Sequence, residues 1–171
     1  MPLAQSARMF AAYNAWCNER LYAAAAELTP EEAWGDRGVF FRSLMGTLNH
    51  LLVTDRIWMQ RFTGEGTAPV RLDAVLFEQL PELAEARRAE DARIIRWVDG
   101  LTAERLGSTF TYMTVTNPRS VTQPLWPALA HLFNHQTHHR GQAHAVLTGF
   151  GRAAPSFDLI GFQRESGIGL A

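Results

Sequence analysis

The sequence predicts an all-α fold, a four-helix bundle with a short β-hairpin before the last helix. Three observations carry this. Four long stretches repeat apolar residues at helical spacing. One intervening stretch, "STFTYMTVTNPRSVTQ", is instead rich in Thr, Val, Phe and Tyr around a turn-forming "NPRS". The length of 171 residues and the 47% apolar content suit one domain with a sizeable core and argue against disorder. No internal repeat or interdomain linker is visible, so residues 1–171 read as a single domain around one continuous core.

The first helix is expected over residues 4–28, where Met9, Tyr13, Trp16, Cys17, Leu21, Ala24 and Leu28 recur near helical period. In "LTPEEAW", Thr29 can cap a short helical turn, Pro30 fits its first position, and Glu31 and Glu32 suit its positive end. A loop through Gly35 and Gly38 follows. The second long helix runs from near Ser43 to Phe62, with Leu44, Leu48, Leu51 and Phe62 on one stripe, and "TGEGTAP" ends it. The third is expected over residues 73–100, with Leu76, Leu80, Leu83, Ile94 and Trp97 as core candidates. Pro81 marks a kink in it or a later start. The hairpin falls within 106–123. The fourth helix starts near Leu125 and ends at Gly149 or Gly151, and the tail "APSFDLIGFQRESG" has room for one short helical turn.

Composition removes several function classes. The net charge is −1, with sixteen arginines and no lysine, so the basic excess of a nucleic-acid-binding protein is absent. No run of eighteen apolar residues could span a membrane. The opening "MPLAQSARMF" lacks the long apolar run of an export signal, and the expected location is the cytoplasm. The single Cys17 reads as a packed core residue.

"HLFNHQTHHR", residues 131–140, holds four of the six histidines. On a helical wheel centred on His135, His131 and His139 lie about 40° to either side and His138 about 60° away, while His144 points to the far side. His131, His135, His138, His139 and Gln142 thus form one polar strip, flanked by Ala128, Leu132 and Val146, which suggests that it faces inward. Histidines at i and i+4 can place two imidazoles on one ion. A third ligand must come from elsewhere, and His50, in the mostly apolar "GTLNHLLVTDRIW", is the remaining candidate; a buried histidine there needs a hydrogen bond or a metal. His50 with two strip histidines makes a three-nitrogen site with open positions, the general form of a catalytic metal site. The same spacing also arises by chance in a buried polar face. Gln136 stands where a HExxH metalloprotease carries its glutamate, so that chemistry is not indicated.

Other residues admit simpler roles. Trp58 and Trp126 can wall a pocket or fill core. Asp55 suits an arginine partner or a structural hydrogen bond, Arg140 an ion pair in preference to anchoring an anionic substrate, and Gly141 a close approach of helices. Gln142 can bond a ligand or a bound water.

"NHQTHHRGQAHAVLTGFG" resembles the signature of the DinB/YfiT-like family, the DinB superfamily. "YNAWCNERL" is similar to that family's opening helix, and "GTLNHLLVTDRIWMQRFTG" to its second-helix segment. The three occur in family order over most of the chain. The resemblance implies a four-helix bundle of up-down-down-up topology, usually homodimeric, with one divalent metal on three histidines. By motif position these are His50, His135 and His139. His138 stands where relatives often carry an aromatic residue and is expected as a pocket wall; His131 is expected to support a ligand or to sit in the core. The resemblance also implies a small-molecule substrate. It leaves open thiol-dependent S-transfer with a low-molecular-weight thiol as cosubstrate, metal-assisted hydrolysis, and a non-catalytic metal-binding stress protein. The S-transfer is the leading expectation. All-imidazole ligation suits zinc, nickel, copper or iron, with zinc, nickel or iron favoured here.

Overall fold

The structure, a computed structural model, describes residues 1–170. Its elements are α1 (Leu3–Ala25), α2 (Pro30–Trp34), α3 (Leu44–Thr63), α4 (Leu80–Asp99), α5 (Ala103–Gly107), β1 (Thr109–Met113), β2 (Ser120–Pro124), α6 (Leu125–Gly149) and α7 (Leu159–Ser166). The four long helices α1, α3, α4 and α6 form the bundle. No helix among the described residues is long and apolar enough to cross a membrane.

Local chemistry sets the boundaries. Thr29 and Glu32 form a reciprocal capping box at the start of α2, the Thr29 hydroxyl accepting from Glu32 N and the Glu32 carboxylate from Thr29 N. The Ser43 hydroxyl accepts from Gly46 N at the start of α3, and Gly64, at φ 74°, ends that helix in the left-handed region. The third long helix begins at Leu80 rather than near residue 73. Proline lacks an N–H and biases the residue before it away from helix, so Pro81 serves as a first-turn residue. The chain ahead of it is held instead by buried Asn49, whose Oδ1 accepts from Leu76 N and Phe77 N and whose Nδ2 donates to Phe77 O. Leu76 still packs on the core, but from a loop. α1 stops three residues short of the expected end, and the tail forms a longer helix than one turn, anchored by Phe162. Before the hairpin, α5 is a short capped turn that the sequence reading did not anticipate.

β1 and β2 pair antiparallel, from Thr109 opposite Pro124 to Met113 opposite Ser120. Phe110 and Tyr112 turn inward, Phe110 against Phe62 and Tyr112 against Trp58. The hairpin therefore covers the C-terminal end of α3.

The core is not continuous, contrary to the sequence expectation. One apolar cluster joins Ala7 and Ala11 of α1, Met59 and Phe62 of α3, Ile94 and Val98 of α4, and the first turns of α6. A second joins Leu21 of α1, Leu44 and Leu48 of α3, Leu83 of α4 and Leu147 of α6. Cluster membership fixes the topology: the start of α1 and of α6 share an end with the finish of α3 and of α4, which is up-down-down-up. A third, small cluster of Met9, Tyr13, Cys17 and Phe162 seats α7. Cys17 is fully buried, as expected.

A buried polar ring separates the two main clusters. Asp55 accepts from Arg87 at 2.8 Å and from Gln136 at 2.6 Å. Gln136 accepts from Arg140 at 3.3 Å, and Arg140 also donates to Asn14. Asn14 and Asn18 donate to Asp91 at 3.3 and 3.0 Å, and Arg87 closes the ring against Asp91 at 3.0 Å. Every long helix contributes. Two carboxylates and two guanidiniums leave the layer neutral, which is the condition for burying charge tolerably. Asp55 thus has the arginine partner expected of it. Arg140 does not form an ion pair, because Gln136 and Asn14 stand between it and the two carboxylates. Gly141 is solvent-exposed with open space around it, so it does not serve close packing.

Because α3 and α4 run parallel, the connection of residues 64–79 must travel back along the bundle. It passes the middle of α3 and brings the Leu72 carbonyl to His50. The topology thus places a loop over the histidines.

Candidate metal centre

His50 comes from α3, and His135 and His139 come from successive turns of α6, where the i, i+4 spacing stacks them on one face. Their ligand-capable nitrogens all lie within 4.8 Å of one another. His50 Nε2 and His135 Nε2 are 3.2 Å apart. Three imidazole nitrogens bound tetrahedrally at zinc distances would sit about 3.3 Å from each other. The donor set and its spacing therefore fit one divalent ion.

Two backbone and side-chain partners orient the rings. His50 Nδ1 lies 2.7 Å from the Leu72 carbonyl, which can only accept, so Nδ1 carries the proton and Nε2 presents its lone pair to the cluster. His139 Nδ1 donates to Gln142 Oε1 at 2.7 Å, which frees Nε2 in the same way. Phe41 stacks on the His50 ring, centroids 3.8 Å apart, and closes the outer side.

The electrostatics keep the rings neutral. Burial pushes His135 down to about 3, with further lowering by His139 and His50. Burial pushes His50 down to about 4, against the pull of the Leu72 hydrogen bond. His139 is lowered too, first by burial. Neutral imidazole is the form that binds metal.

A cavity of about 270 Å³ opens beside the cluster, lined by His50 and His135 at one end and by Trp58, Arg61, His131 and the hairpin turn elsewhere. His131 is part of this wall, its ring 5.3 Å from that of Trp58. His138 is exposed outside the lining; its Nε2 accepts weakly from Gln142 at 3.4 Å. His144 lies away from the cluster against Phe157. The structure thus gathers His50, His135 and His139, with Gln142 behind them, and leaves His131 and His138 as neighbours. Trp126 is partly buried against the first apolar cluster.

The model of the DinB family matches residues 3–167. The chain belongs to the DinB family. It is 28% identical over 165 residues to Protein DinB of Bacillus subtilis (strain 168), covering 90% of this chain and 92% of that protein. The crystal structure of a DinB-like protein from Bacillus cereus ATCC 10987 shares the fold, with a TM-score of 0.62 and 18% identity over 82% of this chain and 89% of that one.

Within this DinB-family chain, sequence reasoning missed three contributors to the site. Phe41 sits in "GVFFRS", where a pair of aromatics between a glycine and a helix cap was the available signal. Arg61 shares a helical stripe with His50, Thr54 and Trp58, which spacing could have shown. The Leu72 carbonyl carried no signal, because a backbone group's role depends on the path of the loop.

Proposed function

We propose that His50, His135 and His139 hold one divalent transition metal, zinc, nickel or iron, and that the protein is an enzyme acting on a small molecule. The observation that carries this is the convergence of three neutral imidazoles with two of them oriented by hydrogen bonds behind the ring. A bound ion would supply Lewis acidity and lower the pKa of a water or thiol at its open position. The chain's own residues do the rest. Leu72 O and Gln142 hold the His50 and His139 rings in their tautomers. Trp58 and the hairpin turn line the cavity, and Phe41 covers His50.

The leading chemistry is thiol-dependent S-transfer to an electrophilic small molecule, with a low-molecular-weight thiol as cosubstrate; its support is the family resemblance. Metal-assisted hydrolysis is the alternative. A cavity with polar walls beyond the three histidines, among them Thr54, Arg61 and His131, favours an enzyme over a non-catalytic metal-binding protein. The resemblance also supports a homodimer, for which light scattering at tens of micromolar should give twice the chain mass. The deciding experiment is elemental analysis of protein purified without an affinity tag, followed by a screen of thiols with electrophiles. One metal per chain with thiol-dependent product supports the reading; a metal-free protein that takes up no added zinc, nickel or iron overturns it.

A further inference from the structure

We propose that the cavity beside the histidines binds a small molecule through its carboxylate, and that Arg61 is the residue that selects for that charge. The inference rests on the reading of the three histidines as a metal centre, because it describes what lies at the other end of the same cavity.

Four observations meet here. First, His50, Thr54, Trp58 and Arg61 form one stripe of α3 and all line the cavity. His50 to Arg61 spans eleven residue steps, about 16 Å along the axis, and helical side chains lean back toward the N-terminus; the guanidinium accordingly lies over Trp58, one turn closer to the histidines. Second, Arg61 has no acidic partner within ion-pair distance among the described residues. Apart from Arg140, which belongs to the buried ring, the other arginines that lack an acid are exposed, whereas Arg61 is half-buried. Third, its position is built. The guanidinium carbon sits 4.6 Å from the centroids of both the Trp58 and Tyr112 rings, and one nitrogen donates to Met113 O at 2.9 Å. That single bond leaves most of the five guanidinium donors unused, and a guanidinium presents its donors in a fork that matches a carboxylate. Fourth, no Asp or Glu lines the cavity. Its ionisable walls are Arg61 and histidines, and the nearby Arg61 charge lowers the His131 pKa further after burial. A cavity with a cation at each end and no acid between favours an anion.

The substrate class that follows is a bifunctional small molecule, with a metal-seeking or reacting group at one end and a carboxylate several bonds away. The apolar walls between, Ile57 and Trp58, accommodate a short carbon chain.

The test uses the full chain loaded with cobalt(II), whose visible absorption reports a sulfur ligand. Straight-chain ω-mercapto carboxylic acids are titrated against their primary amides of equal length. The expected result is an acid that binds at least tenfold tighter than its amide at one or more lengths. Arg61→Gln should bring that ratio near one with amide affinity unchanged, and Arg61→Lys should keep part of it. Equal affinities at every length, or no binding of either series, overturn the proposal while leaving the metal centre standing. So does a ratio that survives Arg61→Gln, which would confine Arg61 to clamping the hairpin at Met113. If the protein takes up no cobalt, the metal reading fails and this inference with it.

Discussion

His50 Nε2 and His135 Nε2 face each other at 3.2 Å, although 85 residues separate them in the chain. The Leu72 bond leaves His50 Nε2 with its lone pair, and a divalent cation between the two nitrogens would take up that lone pair and one from His135 Nε2. Each of His50→Ala, His135→Ala and His139→Ala should therefore release most of the metal, since two imidazoles hold a divalent ion far less tightly than three. His144→Ala should leave it bound, and His131→Ala and His138→Ala should have smaller effects. Bound metal per chain across these six variants is the measurement. In the parent, zinc at about a thousandfold over its Kd should raise stability by about 4 kcal/mol, read as a shift in Tm.

The metal-free protein should weaken on acidification. His50 and His135 are held down at about 4 and about 3, chiefly by burial, against about 6.5 in an unfolded chain. Above pH 6.5 both states are neutral at these sites. Below it the unfolded chain takes up protons that the folded chain refuses, so stability falls between about pH 6.5 and 4 and levels off near 3. Each unmatched proton costs at most about 1.4 kcal/mol per pH unit. Urea unfolding at pH 7, 6 and 5 should show a steeper decline for the parent than for His50→Ala. An equal slope would count against the burial of this histidine as the cause.

Removing one charge from the polar ring should cost more than removing a core methyl. Arg87 is fully buried between Asp55 and Asp91. Arg87→Met leaves both carboxylates without their shared cation, and a loss of about 3–5 kcal/mol is expected. Asp55→Asn removes one of those charges, and in the background of Arg87→Met it should restore part of the loss. Unfolding free energies of the two single variants and the double variant measure the coupling.

Gly46 tests the support behind His50. A Cβ there would lie 2.2 Å from the Phe41 carbonyl, so backbone must move. Gly46→Ala should displace Phe41 from its stack on His50 and cost about 1–3 kcal/mol, the range for overpacking. Metal affinity should fall with stability. A variant with parent-like stability and affinity would show that the Phe41 loop adjusts freely.

The parts of the fold that follow from periodicity and caps were legible: α6 runs from Leu125 as expected, and the Thr29 cap and the hairpin lie where their residues indicated. The start of α4 was ambiguous because a proline is equally at home in a first turn and at a kink, and the Asn49 bonds that hold residues 76 and 77 out of the helix come from a distant segment. The split core was hidden for a related reason. Asn14, Asn18, Arg87 and Gln136 look in sequence like ordinary polar faces, and only their coincidence at one level turns them inward together. At the site, the stripe of α6 placed His135 and His139 on one face, while the choice between these and His131 or His138 came from motif resemblance. Leu72 and Phe41 depend on loop paths that side-chain patterns do not encode.

The polar ring also bears on how this sequence can drift. Its seven side chains are drawn from four helices, and each carboxylate or guanidinium answers to more than one partner. A lone replacement strands a charge in the interior, whereas a compensated pair, or a concerted change to apolar residues across all four helices, does not. Positions 14, 18, 55, 87, 91, 136 and 140 should accordingly vary in company among relatives, with the charge total held at zero. Transplanting the three histidines to another bundle would face the same condition, because Gln136 and Arg140 occupy the helical turns that carry His135 and His139.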